Sequence, residues 1–172
     1  MISGPLPEPP LQAQPILAAL LRHGVDFVLI GGLAGLAHGS SYPTYDLDVA
    51  YSRDAGNLER LTSALRELDV TLRGAPSELP FQLDARSLAN GANFTFETKY
   101  GWFDILADVA GISSYEQLLA EARTVSVEGS EVRVASIDHL IAMKRASNRT
   151  KDKLMLEEYI VIADEQQRSQ RQ

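Results

Sequence analysis

The chain contains no cysteine, which excludes disulfides, zinc–thiolate sites and thiol nucleophiles. Histidine is scarce too: three residues, His23, His38 and His139, lie too far apart in sequence to suggest a histidine metal site. Any metal must therefore be held by oxygen. No apolar run approaches the ~20 residues that span a bilayer, and the opening MISGPLPEPPLQAQP has neither the basic start nor the apolar stretch of a secretory signal. The expectation is a cytoplasmic protein with no membrane partner. Positive charge is also short. Sixteen Lys and Arg against 23 Asp and Glu give a net charge of −7, which argues against a protein that coats nucleic acid by bulk electrostatics. The exception is local: Lys144, Arg145, Arg149, Lys151 and Lys153 fall close together with only Asp152 opposing them.

What remains is the composition of an ordinary globular domain, 45% hydrophobic and 23% charged. A chain of 172 residues is long enough to bury a core of roughly two-thirds of its unfolded surface. Residues 1–10 hold four prolines and read as a flexible or extended arm. Residues 11–165 read as a single domain and 166–172 as a polar tail. Apolar spacing predicts a helix over Leu11–Arg22, stopped at Gly24, and a strong amphipathic helix over Asn57–Leu68. Val25–Ile30 reads as a buried strand entering a turn at Gly31-Gly32, followed by a short helix over Leu33–His38. Tyr45–Tyr51 alternates as a second strand. Residues 72–91, broken by Gly74, Pro76, Pro80 and Gly91, stay unassigned apart from a helical turn or two over Asp84–Ala89. Phe94–Thr98 with Trp102–Leu106, and Val125–Val134 around Gly129, suggest hairpins; Ser113 or Ser114 caps a helix through about Ala122. Helices over Ser136–Ser147 and Thr150–Glu165 complete the pattern.

Asp46 and Asp48 are two apart on a predicted strand, so both carboxylates share one face while Leu47 and Val49 anchor the other. Two like charges that close repel, and a divalent cation between them keeps both ionised near neutral pH. Asp104 lies within another apolar strand, where a carboxylate must be hydrogen-bonded, paired or metal-bound. If the two strands are neighbours, three carboxylates converge, a set able to hold two Mg2+ ions, or Mn2+ in their place, about 4 Å apart. Such a set suits nucleotidyl transfer, with Asp104 or another carboxylate as the base. Gly31-Gly32, after a strand and before a helix, lets backbone amides approach a triphosphate. Lys144 offers a cation to phosphate, and Arg145, Arg149 or Lys151 to the triphosphate or to an acceptor's backbone. Each feature also has an ordinary structural explanation: a simple turn at the glycines, a solvated face at the paired acids, a buried Arg as the partner of Asp104, and a solvated helix surface for the basic run.

Val28-Leu29-Ile30-Gly31-Gly32, thirteen further residues, and then Asp46-Leu47-Asp48-Val49 resemble the signature of the DNA polymerase β-type nucleotidyltransferase superfamily. Ser136–Arg145, followed by Arg149-Thr150-Lys151-Asp152 and Leu156-Glu157-Glu158, is similar to the abortive-infection type IV toxin nucleotidyltransferases, including the MenT-type toxins. The match runs from about Val25 to Tyr159. It implies an α+β nucleotidyltransferase fold: a short mixed sheet flanked by helices, closed by C-terminal helices. It further implies Asp46, Asp48 and Asp104 as metal ligands and catalytic acids together with Lys144. Gly31, Gly32, Thr44, Lys144, Arg145 and Asp152 would lie at the nucleotide, and Arg149 and Lys151 toward the acceptor. Two positions depart from the pattern: Tyr42 stands where relatives often carry Arg, and Gly32 where many carry Ser. The resemblance implies a magnesium-dependent enzyme moving NMP from an NTP, ATP among the candidates, to an acceptor, with RNA such as a tRNA 3′ end first in line and a cognate antitoxin as partner. Its alternatives are an AMPylating antitoxin paired with a HEPN-type toxin, a small-molecule (antibiotic) nucleotidyltransferase, and a non-catalytic partner-binding module of the same fold.

Overall fold

A computed structural model describes residues 9–76 and 78–172; most of the expected N-terminal arm, residues 1–8, lies outside the described residues. Helix α1 (Ala13–Arg22) puts Ala13, Ile16, Leu17, Ala19 and Leu20 into the core along one stripe and turns at Gly24 into β1 (Phe27–Ile30), whose four residues are all buried. That continuous apolar run suits a central strand covered on both faces. The glycine pair opens α2 (Gly31–Ala37), and β2 (Asp46–Tyr51) returns antiparallel to β1 with Asp48 opposite Ile30. Helix α3 (Ala55–Glu67) begins two residues earlier than its apolar spacing indicates, because Asp54 caps it by accepting from the Asn57 amide N–H. The Asn57 side chain, fully buried, accepts from the Asp26 amide and donates to the carbonyls of Asp26 and Ser52, tying the start of β1 to the end of β2.

The unassigned stretch resolves into a two-residue strand β3 (Thr71–Leu72), a turn-rich segment and α4 (Ala85–Asn90), capped by Asp84. Strands β4 (Asn93–Thr98) and β5 (Gly101–Leu106) form the expected hairpin. Helix α5 (Tyr115–Glu121) is capped by Ser114 and leads into the second hairpin, β6 (Arg123–Val127) with β7 (Ser130–Val134). All seven strands join one mixed sheet in the order β3-β4-β5-β2-β1-β7-β6, with β2–β5 and β1–β7 parallel and the remaining pairs antiparallel.

Two helices close the chain. Helix α6 (Ile137–Ser147) is capped by Ser136 and ends at Asn148 in the left-handed region, a residue type that tolerates it. Helix α7 (Thr150–Gln170) runs five residues beyond the expected Glu165, so the polar segment 166–170 is helix and not tail. Polar composition does not stop a helix when no Gly or Pro intervenes. In addition, Gln166 is hydrogen-bonded to the ring of His38, whose other nitrogen meets the Ala135 carbonyl oxygen. Among the described residues no helix is long and apolar enough to cross a membrane.

Candidate active site

The side-chain period of two and the register of β2 against β5 decide the centre of the cleft. Asp48 pairs directly with Asp104 and Asp46 with Trp102, so Asp46, Asp48 and Asp104 rise from one face of the sheet while Leu47, Val49, Phe103 and Ile105 are fully buried on the other. Oxygens from the three carboxylates lie within 4.8 Å of one another. The crowding is electrostatically costly. Burial, then the charges of Asp46 and Asp104, push the Asp48 carboxyl up to about 8, with Lys144 and Arg73 opposing. Burial also raises the Asp104 carboxyl, against the pull of Arg73. A half-buried all-oxygen set with this excess of negative charge fits a hard divalent cation such as Mg2+ or Mn2+.

The two glycines make room for this centre. Gly31 has φ +70°, and a Cβ there would stand 2.2 Å from Asp48 Oδ2; a Cβ on Gly32 would stand 2.7 Å from Thr44 Oγ1. Thr44 in turn donates to the Asp46 carbonyl oxygen at 3.0 Å. The glycine at 32 is thus matched to a threonine packed against it. The chain between α2 and β2 is clasped from α7: Glu158 accepts from the Ser40 hydroxyl and from the Ser41 amide and hydroxyl, each at 2.8 Å.

A second cluster faces the acids from α6 and α7. Asp152, 1% exposed, accepts from Lys144 Nζ at 3.0 Å, Ser147 Oγ at 2.6 Å and Arg149 Nε at 3.1 Å. Burial alone would raise its carboxyl, but the Ser147 and Lys144 hydrogen bonds and the Lys144 and Arg149 charges hold it down at about 2. Lys144 is close enough to Asp48 to lower that carboxyl as well. Both clusters line one cleft of about 760 Å³. Its apolar wall includes Phe94, Leu106, Val109, Leu140, Met143 and Met155. Gly31, Gly32, Tyr42, Thr44, Arg149 and Lys151 line it as well. Arg145 is exposed and is not part of the lining.

Two participants are absent from the sequence-derived set. Arg73 donates from Nη2 to Asp104 Oδ1 at 2.6 Å, and its guanidinium lies 4.5 Å over the Trp102 ring. It belongs to the stretch without periodicity; the only sequence signal is that a buried acid needs a counter-charge. Tyr159, on α7, lines the cleft with a buried hydroxyl that has no hydrogen-bond partner among the described residues, and a Cβ on Gly35 would meet that hydroxyl at 2.3 Å.

No protein-family model matches the chain, and no curated protein matches it in sequence. Solved structures do. A lincosamide antibiotic adenylyltransferase, LnuA, with lincomycin bound, superposes with a TM-score of 0.59 at 12% identity, over 90% of this chain and 99% of that one. The antibiotic-resistance factor ANT(2″)-Ia in complex with adenylyl-2″-tobramycin gives 0.56 at 17% identity, over 89% and 86% of the two chains. The chain has the nucleotidyltransferase fold. A Thermotoga maritima protein provisionally described as a nucleotidyltransferase shares the fold, with a TM-score of 0.54 at 16% identity over 86% of this chain and 89% of that one. Within the nucleotidyltransferase fold of this chain, the carboxylates on β2 and β5 face the glycine pair of α2 and the cations of α6 and α7 across one cleft.

Proposed function

We propose that the protein is a Mg2+-dependent nucleotidyltransferase that moves NMP from an NTP to a hydroxyl of a small-molecule acceptor. The observation that carries the reading is the three-carboxylate centre of Asp46, Asp48 and Asp104 set across one cleft from Lys144 and the glycine pair. A bound divalent cation would be held by these carboxylates and would draw off charge from the phosphates. Gly31, Gly32 and Thr44 would border the triphosphate, and Lys144 would meet its negative charge. Asp104 would take the proton of the acceptor hydroxyl as its oxygen bonds to the α-phosphorus and the bond to pyrophosphate breaks.

The choice of a small acceptor over RNA follows from where the cations go. Lys144 and Arg149 of the basic run are both bound to the buried Asp152, so the run offers a nucleic-acid backbone three exposed cations, Arg145, Lys151 and Lys153, on a chain of net charge −7. A cleft of about 760 Å³ with an apolar wall is of a size to hold a nucleotide beside a compact molecule. Two proteins of the same fold, bound to lincomycin and to adenylyl-tobramycin, give the acceptor class a starting panel. The test incubates the protein with Mg2+, each NTP and a panel of lincosamides, aminoglycosides and total tRNA, and reads mass shifts. A nucleotidyl adduct on a small molecule is expected; label in tRNA alone would replace the small acceptor with RNA.

A further inference from the structure

The pairing of Asp104 is the feature the reaction scheme leaves unused. One of its two oxygens already accepts from Arg73, and both side chains are largely shielded, 19% exposed for Arg73 and 15% for Asp104, so the pair is stronger than a surface ion pair. The arginine is aimed from three directions. Its backbone N–H donates to the Thr95 carbonyl oxygen, and Thr95 is the residue opposite Asp104 in the β4–β5 register. Its guanidinium plane rests over Trp102, which lies two residues before Asp104 and hence on the same strand face. A planar cation held by an aromatic face and a carboxylate has few orientations left. Trp102 is therefore a seat for the arginine as well as packing.

We propose that Arg73 is a positioning residue of the carboxylate centre: it fixes the orientation of Asp104 and, by neutralising part of its charge, restrains the centre's affinity for divalent cation. The inference rests on the metal-dependent reading above. It separates from a merely structural role by sign. An arginine that only braces the turn after β3 would, when removed, weaken metal binding and turnover together. A positioning arginine opposes the cation for Asp104, so its removal leaves a more negative centre that binds the cation more tightly and a misdirected carboxylate that works less well.

The test uses the full chain with Arg73→Gln and Arg73→Lys, Mn2+ titrated by calorimetry at fixed pH and salt, and steady-state NMP transfer. Arg73→Gln is expected to bind Mn2+ about fivefold more tightly, from the loss of one partly shielded opposing charge. Its kcat should fall about tenfold with KM for NTP within about twofold, the mark of an interaction used after binding. Arg73→Lys keeps the charge without the fork, so it should return Mn2+ affinity to the wild-type value and recover only part of kcat. Arg73→Gln that binds Mn2+ equally or less tightly, or turns over at the wild-type rate, overturns the proposal alone. Wild type that binds no Mn2+ overturns it together with the reading it rests on. If Arg73→Gln does not fold, Trp102→Leu decides: it unseats the guanidinium without deleting it and should tighten Mn2+ binding by a smaller factor, and unchanged or weaker binding is the contrary result.

Discussion

Asp48 stands between Asp46 on its own strand and Asp104 on the next, and burial together with those two charges lifts its carboxyl to about 8. The raised pKa has a definite sign in stability. The folded state holds a proton on Asp48 that the unfolded chain, with an ordinary carboxyl near 3.8, has released. The stabilisation is fully present below that ordinary value and is lost as pH rises through about 8. Without divalent ions, wild-type Tm should fall between pH 6 and pH 9, whereas Asp48→Asn should stay flat and exceed wild type by roughly 5 °C at pH 9. Mg2+ should raise wild-type Tm more at pH 8.5 than at pH 6.5, because at the lower pH it must displace the proton, and should leave Asp48→Asn nearly unmoved. Scanning calorimetry reads all three. Gly31→Ala is expected to abolish this Mg2+ response, since its Cβ would fall 2.2 Å from Asp48 Oδ2. The acids and glycines were legible in the sequence because strand period and spacing are local properties. Arg73 was not, because its pairing with Asp104 spans 31 residues and arises from a stretch whose only regular strand is two residues long.

At the scale of elements, α6 and α7 are joined through Asp152, whose carboxylate is bound by Lys144 and Arg149 and is buried against both helices. Asp152→Asn leaves two cations without their anion. It should cost about 3 kcal/mol in urea unfolding, and it should raise KM for NTP as Lys144 loses its hold. The Glu158 clasp is partly solvated. Glu158→Gln should leave the urea unfolding midpoint nearly unchanged yet raise KM, because it frees Ser40 and Ser41 at the start of the segment that carries Thr44 to the cleft. Of the helix caps, the one at Ser114 was readable in sequence as Ser113 or Ser114, whereas those at Asp54 and Ser136 emerge only from the structure; the helices they open lie close to where spacing put them. The end of α7 was not readable, since the bond between Gln166 and His38 is tertiary and polar composition alone resembles a tail.

For the whole molecule, the order of strands brings both parallel neighbours of the central pair, β5 and β7, to the β1–β2 hairpin, so acids 46 and 48 meet an acid 56 residues beyond Asp48 in sequence. Sequence reading anticipated the fold from the glycine pair and the paired acids. It favoured RNA as acceptor from a basic run of five cations, two of which, Lys144 and Arg149, are bound to Asp152. An acceptor of the lincosamide kind carries little charge to neutralise, so its transfer should change less than about threefold in kcat/KM between 50 and 200 mM salt, where a phosphate-backbone acceptor contacting several cations would lose far more. The most direct measurement of the central claim is pyrophosphate release from Mg-NTP in the presence of acceptor, with wild type and Asp46→Ala side by side and both verified as folded. Release that needs Mg2+ and acceptor and is lost in Asp46→Ala is the predicted result; release that persists unchanged in Asp46→Ala would contradict a reaction at the carboxylate centre.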